Sequence, residues 1–471
     1  MESTHQNKRR QFLTQGGKLA TVLAAISATG GLAYAAPAST SSVDCKTADN
    51  SASAMTSINH PHYYLKNVRL EKGFVYEGSV VTATETDLAT LEIKDGKIIQ
   101  IHSSGSGLNN SLPAYDGMGK LLLPAFRDMH IHLDKTFYGG PWQAPRSRKG
   151  KTIMDMITLE QQLLPTLQPT TQERAGKLID LLHSKGSVIA RSHCNVDPVS
   201  GLKNLENLMV VLEQRKPEFS CEVVAFPQHG LLHSQSENLM REAMKMGAQY
   251  VGGLDPTNVD GAMEKSLDTM FQIALDSHKG VDIHLHETSP AGVAAVNYII
   301  DTVVKNPSLK GNVTISHAFA LSTLSPQQIE ETATRLAEQQ ISIASSIPIG
   351  TLHMPLPQLT EKGVFVMTGT DSVIDHWSPF GSGDMLEKAN LYAQLYTRPD
   401  EFTLSRSLAI ATGNVLPLDS KGQRVWPKVN DKADFVLVDA SCSAEAVARV
   451  SGRQATFHQG RLVYGSVGKA V

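Results

Sequence analysis

Residues 121–136 read LLLPAFRDMHIHLDKT. An apolar run with the length of a buried strand ends in His130 and His132, and residues two apart on a strand project to the same side. Seven more short apolar segments follow it: SVIARSHC (187–194), EVVAFPQ (222–228), YVGGLD (250–255), VDIHLH (281–286), VTISHA (313–318), ISIASSIP (341–348) and VFVMTGTD (364–371). Helical patterns separate them, among them TQERAGKLIDLLHSKG (171–186) and SENLMREAMKMG (236–247), each ending near a glycine suited to a C-cap. Strands alternating with helices predict an α/β protein with a parallel sheet and crossover helices. Eight such units between residues 124 and 416 match a (β/α)8 TIM barrel. His130, His132, Gln228, Asp255, His284, His317 and Asp371 all fall at the C-terminal ends of the strand segments, the end that carries catalysis in such a barrel.

Both flanks of the barrel have a different pattern. Residues 62–123 and 417–471 hold short alternating runs, including ATLEIKDGKIIQIHSS (89–104) with Asp95-Gly96 as a hairpin turn, and ADFVLVDA (433–440). They predict one small β-sandwich assembled from the two ends. Residues 36–61, rich in Ser, Ala and Thr, have little apolar surface to offset ordering and are expected to be a mobile linker.

Residues 1–35 have the order of an export signal: Lys8-Arg9-Arg10, then an Ala-rich apolar run from Leu19 to about Leu32, then Ala33-Tyr34-Ala35 as a small-x-small cleavage site. Arg9-Arg10-Gln11-Phe12-Leu13 resembles a twin-arginine motif, which implies the twin-arginine export machinery as a partner and a cleaved, periplasmic enzyme. The apolar run is too short and too rich in Gly, Ser and Thr for a comfortable membrane span, so stable membrane association is not expected.

The 471 residues are 41% hydrophobic and 19% charged, ordinary globular values. Setting aside Lys8, Arg9, Arg10, Lys18 and Glu2 from 43 Lys+Arg and 46 Asp+Glu leaves 39 against 45, a net −6. No nucleic-acid footprint is present. Cys45 lies in the linker and the other three cysteines lack framework spacing, so no structural disulfide is expected. Homo-oligomer formation is compatible with the sequence and not required by it.

A His-x-His pair is weak evidence among 17 histidines. It gains force because His284, His317 and Asp371 occupy the ends of the fifth, sixth and eighth strand segments. Neutral imidazoles with one carboxylate suit Zn or Fe(II) in a site that keeps an open position.

As an ordered set, LPAFRDMHIHLDKT, AFPQHG, VDIHLHE, TISHAFA and GTDSVIDHWSPFG resemble the motif series of the amidohydrolase superfamily, in particular its cytosine deaminase-like branch, over residues 64–465 or so. The resemblance implies a hydrolase of non-peptide carbon–nitrogen bonds with one divalent transition metal ion per chain, held by His130, His132, His284 and Asp371. It implies that Glu287 shuttles the proton, that His317 helps to activate the bound water and that Gln228 holds the substrate ring. A cation with three neutral ligands and one carboxylate acidifies its water from ~15.7 towards ~7, so that the water becomes a hydroxide by losing one proton, which Asp371 accepts. YVGGLDP (250–256) has no lysine, whereas two-metal relatives bridge their ions with a carboxylated lysine there, so one metal is expected. Asp255 is assigned to substrate contact or to a turn, with a second ion as the lesser alternative.

Against the cytosine deaminase pattern, His229 follows Gln228 in place of Glu, His286 replaces the acid before Glu287, and Ser372 replaces a second Asp after Asp371. Buried hydrogen-bonding groups decide which ring is accepted. Ser372 and Trp377 are therefore expected against the substrate, with Trp377 placed to cover a flat ring. The expected substrate is a small nitrogen heterocycle, and the expected reaction is deamination of a cytosine-like ring. A ring-opening cyclic-amide hydrolase is the alternative, and a non-catalytic periplasmic binding protein the remaining one.

Overall fold

The computed structural model describes residues 58, 60–109 and 111–469. The expected signal peptide, Cys45 and all of the expected linker except residues 58, 60 and 61 lie outside the described residues. No helix among the described residues is long and apolar enough to cross a membrane.

Eight parallel strands form the barrel: β1 (Phe126–Ile131), β2 (Ser187–Asn195), β3 (Ser220–Phe226), β4 (Tyr250–Leu254), β5 (Gly280–His284), β6 (Val313–Ser316), β7 (Ser342–Ser345) and β8 (Val366–Thr368), each paired with the next. Closure is made beyond β8, where Asp371 bridges to Ile131 and its N–H donates to the His130 carbonyl at 2.7 Å. Gly369 makes this approach possible, because a Cβ there would overlap the backbone N and O of His130. The last strand thus delivers Asp371 directly to the histidine pair of the first.

The crossover helices follow their apolar spacing. In α2 (Thr171–Ser184), Ala175, Leu178, Ile179 and Leu182 recur at i, i+3, i+4 and i+7 and are buried against the sheet. Gly186 ends this unit at φ +90°, with its Cα so close to the Phe126 ring that an added Cβ would lie 3.0 Å from it.

The first strand segment of the sequence proves to be two strands. Leu121–Pro124 pairs antiparallel with Phe435–Val438 and belongs to the other sheet. Ala125 N–H still donates to the Asp434 carbonyl, whereas Phe126 N–H donates to the Gly186 carbonyl. Hydrogen bonding therefore changes partner between two consecutive residues, just after Pro124, which has no N–H to offer.

The two β-rich ends meet in one mixed sheet of nine strands: seven run in order from Arg461–Gly465 through Arg453–His458, Phe435–Val438, Leu121–Pro124, His62–Glu77 and Val80–Lys94 to Lys97–Ser103, and Ala114–Asp116 pairs with His62–Glu77 and with Gly468–Lys469 beside that path. Asp95 and Gly96, at φ 48° and 77°, turn the hairpin. Tyr63, Leu65, Leu91, Ile93, Phe435, Leu437 and Phe457 form a core of its own.

Candidate metal centre and substrate pocket

Five side chains from β1, β5, β6 and β8 converge at the C-terminal mouth of the barrel. His132 Nε2 lies 3.4 Å and His130 Nε2 3.6 Å from Asp371 Oδ1, and His317 Nε2 lies 4.0 Å from Asp371 Oδ2. Ligand atoms of His130, His284 and His317, and those of His130, His132 and Asp371, fall within 4.8 Å of one another. Metal bonds of ~2.1 Å in a tetrahedron separate donor atoms by ~3.4 Å, so the spacings at Asp371 are compatible with metal ligation. Asp255, His317 and Asp371 adopt positive φ (37°, 66° and 64°) just past their strands. That conformation costs about 1–3 kcal/mol each and is maintained by the surrounding packing.

The donor chemistry fits as well. His130 Nε2 and both ring nitrogens of His284 and of His317 are buried without a hydrogen-bond partner. Burial pushes His284 and His317 well below the ordinary histidine range, and burial with the nearby Lys135 charge lowers His132. Neutral imidazole is the form that binds a metal. Burial alone would raise Asp371, but the facing His130 and His132 outweigh it and hold this carboxyl well below its ordinary range. The cluster is therefore able to bind a divalent cation. Asp255 belongs to no such grouping among the described residues.

Residues behind the cluster set its orientation. His130 Nδ1 meets Ser316 Oγ at 2.9 Å, Ser316 Oγ donates to Asp282 Oδ1 at 2.6 Å, and Arg191 Nη1 donates to Asp282 Oδ2 at 2.9 Å. Arg191 also donates to Glu222, Thr314 and Tyr250, so the barrel interior below the site is a buried and well-partnered polar layer. His132 Nδ1 is held by the His193 carbonyl at 3.0 Å. In both histidines the remaining Nε2 is turned toward the centre. Ser316→Ala is expected to lower metal affinity about 10–100-fold, as loss of such a support commonly does, while the barrel stays folded. Metal titration beside circular dichroism checks this, and undiminished affinity would show that Ser316 does not orient His130.

A cavity of about 490 Å³ opens over the cluster, lined by His132, His284, His317 and Asp371 at its base. Gln228, Ser372 and Trp377, all expected at the substrate, line it too. Lys135 Nζ donates to Gln228 Oε1 at 2.6 Å. Because an ammonium only donates, the amide oxygen must face Lys135, which leaves the Gln228 NH2 as the group available to a ligand. Lys135 is itself buried and paired with Glu160 at 3.1 Å. Burial would lower Lys135 and raise Glu160, but each outweighs the cost for the other and both stay charged. His229 sits between Glu160 and Asp197; burial opposes its charge, yet the two carboxylates raise it to about 9.

Glu287 is placed differently from expectation, whereas of the two readings of Asp255 the structure shows the turn: its carbonyl accepts from the Val259 N–H at 2.9 Å at the head of residues 256–260. Asp255 does not line the cavity, because its carboxylate is engaged by the His286 N–H at 2.6 Å, the Glu287 N–H at 3.3 Å and His286 Nδ1 at 3.0 Å. It reaches a substrate only through His286, which does line the cavity. Glu287 is buried one layer behind. Its Oε1 accepts from the N–H groups of Thr257 (2.8 Å) and Asn258 (2.6 Å), and its Oε2 has no partner. Burial raises the Glu287 carboxyl, opposed by the Asn258 N–H.

Sequence reading missed Lys135, Glu160, His193, Asp282 and Ser316 as parts of the site, whereas His286, singled out there, does line the cavity. One signal for Glu160 was present: in α1 (Ile153–Leu167) it shares the buried stripe of Ile157, Leu164 and Leu167, an odd position for an unpaired carboxylate.

Barrel, histidine–aspartate cluster and pocket together define a hydrolase scaffold with a cluster able to bind a metal. A model of the amidohydrolase family matches residues 187–464, and the chain belongs to that family. It is a hydrolase of carbon–nitrogen bonds other than peptide bonds. It is 66% identical over 461 residues, 98% of this chain and 99% of the relative, to the uncharacterized protein YahJ of Escherichia coli (strain K12). It is 27% identical over 355 residues, 74% of this chain and 87% of the relative, to N-isopropylammelide isopropyl amidohydrolase of Pseudomonas sp. (strain ADP). Among solved structures, N-isopropylammelide isopropylaminohydrolase from Burkholderia multivorans superposes with a TM-score of 0.75 at 28% identity, covering 88% of this chain and 100% of that one.

Proposed function

We propose that the protein is a metal-dependent deaminase that replaces an exocyclic amine with an oxygen on a flat, oxo-substituted nitrogen heterocycle such as a cytosine-like or triazine ring. The observation that carries this reading is the convergence on one cavity of the histidine–aspartate cluster and an amide, Gln228, whose donor face is oriented by Lys135. The names of the Pseudomonas and Burkholderia relatives, which refer to N-isopropylammelide, support the substrate class.

In this reading His130, His132, His284 and Asp371 hold one divalent transition metal ion, Zn or Fe(II). When bound, the ion supplies Lewis acidity to the attacking water. Asp371, ionised and set against the histidines, takes a proton from that water. The Gln228 NH2 donates to the ring oxo group, and Trp377 covers the ring face. The water oxygen bonds to the ring carbon, the carbon–nitrogen bond breaks, and the amine leaves with a proton. Glu287, with its free Oε2 and raised carboxyl, is the proton carrier. One observation favours a second assignment of the acid: His286 lines the cavity and Glu287 does not.

Metal analysis of the purified protein joined to an ammonia-release screen over nitrogen heterocycles tests the function. One equivalent of metal and ammonia from an aminated ring are expected, with both lost on chelation. Ring opening without ammonia would replace deamination by cyclic-amide hydrolysis.

A further inference from the structure

Between Asp134 and Asp155 the chain contains Lys135, Arg146, Arg148, Lys149 and Lys151 and no acidic residue. This segment leads from β1 to α1, across the mouth of the barrel. It is strongly basic in a molecule whose residues 36–471 carry a net −6, by the 39 against 45 count above. Arg148 and Lys151 line the catalytic cavity together with Lys135. The charge of Lys135 is balanced by Glu160. Among the described residues Arg148 and Lys151 make no ion pair, and Arg148 is held by a neutral group, donating from Nη1 to the Trp377 carbonyl at 2.9 Å. Asp371 is the one carboxylate among the lining residues, and it already faces the histidines.

We infer that the substrate ring carries an anionic carboxylate on its outer edge and that Arg148 and Lys151 bind it at the cavity mouth. The inference rests on the deaminase reading above for the ring itself. Both side chains are exposed to solvent, and a neutral ring would draw nothing from their charge, whereas a carboxylate gives charge-assisted, fork-shaped hydrogen bonding. Arg148 suits that role because one N–H anchors it to the Trp377 carbonyl while the rest of the guanidinium fork stays free. The basic segment on an acidic molecule also focuses an attractive field at the entrance.

The test uses the metal-loaded enzyme and two readouts. Calorimetry compares uracil with its two ring carboxylates, substituted at carbon 5 or carbon 6, as product-like probes. At least one acid is expected to bind ~10-fold or more tightly than uracil at low ionic strength, with the preference shrinking in high salt. The double variant Arg148→Gln, Lys151→Gln is expected to reduce that preference by ~10-fold or more, and Lys149→Gln, in the same segment but not lining the cavity, to leave it in place. Equal or weaker binding of both acids, or a preference that survives the double variant, overturns the inference. Ammonia release from cytosine and its ring carboxylates is measured in parallel. Release without an acid preference overturns this inference alone; an acid preference without release from any ring supports it and overturns the deaminase reading.

Discussion

A chain in which His130 and His132 are both alanine is expected to retain its barrel, to bind no stoichiometric metal and to lose turnover by ~10⁴-fold or more. The two imidazoles contribute two of the four ligands proposed here, and their Nε2 atoms lie 3.6 and 3.4 Å from Asp371 Oδ1. Removing them leaves Asp371 without the groups that hold its carboxyl ionised against burial. Ser316 and the His193 carbonyl lose their partners as well, a penalty of about 1–3 kcal/mol for each buried group left unsatisfied. That cost is small enough for a large barrel to survive. Elemental analysis next to circular dichroism checks the outcome, and a folded variant that keeps one equivalent of metal would dismantle the assignment.

Glu287→Gln is expected to keep its metal and to lose ~10²-fold or more in turnover. The substitution suits the site. A glutamine oxygen can still accept from the Thr257 and Asn258 N–H groups, and the new amide nitrogen replaces Oε2, which has no partner to clash with. Only the ability to carry a proton is removed. Wild-type turnover in this variant would transfer the acid role to His286, the neighbour that reaches the cavity. Loss of metal would instead make Glu287 a ligand.

The barrel was legible because its strands are short apolar runs whose polar residues cluster at one end. His130, His132, His284, His317 and Asp371 could be found because strand alternation and strand ends both point to the same face. Alternation also runs one step deeper, Asp282 before His284 and Arg191 before His193, and this marks the polar layer beneath the site. The partnership of Lys135, Glu160 and Gln228 was not legible, since it joins three elements far apart in the chain and no local pattern encodes it. The division at Pro124 was hidden for a related reason: an unbroken apolar stretch does not show which sheet each half will enter. Asp255 was legible by position as a substrate contact or a turn residue, and only its three hydrogen bonds show that it also holds His286.

The pairing of Leu121–Pro124 with Phe435–Val438 has a consequence for how the protein is made. On the ribosome the first half of the nine-stranded sheet emerges while its partner strands are still hundreds of residues from being synthesised. Tyr63, Leu65 and Leu91 then present an apolar face with no cover, and every barrel unit is translated in the interval. The sheet is completed only after synthesis is nearly finished, so the small β domain, first in the chain, is among the last parts to mature. During that interval the nascent protein depends on fast barrel formation or on a chaperone to keep the open edge at Leu121–Pro124 from pairing with another chain.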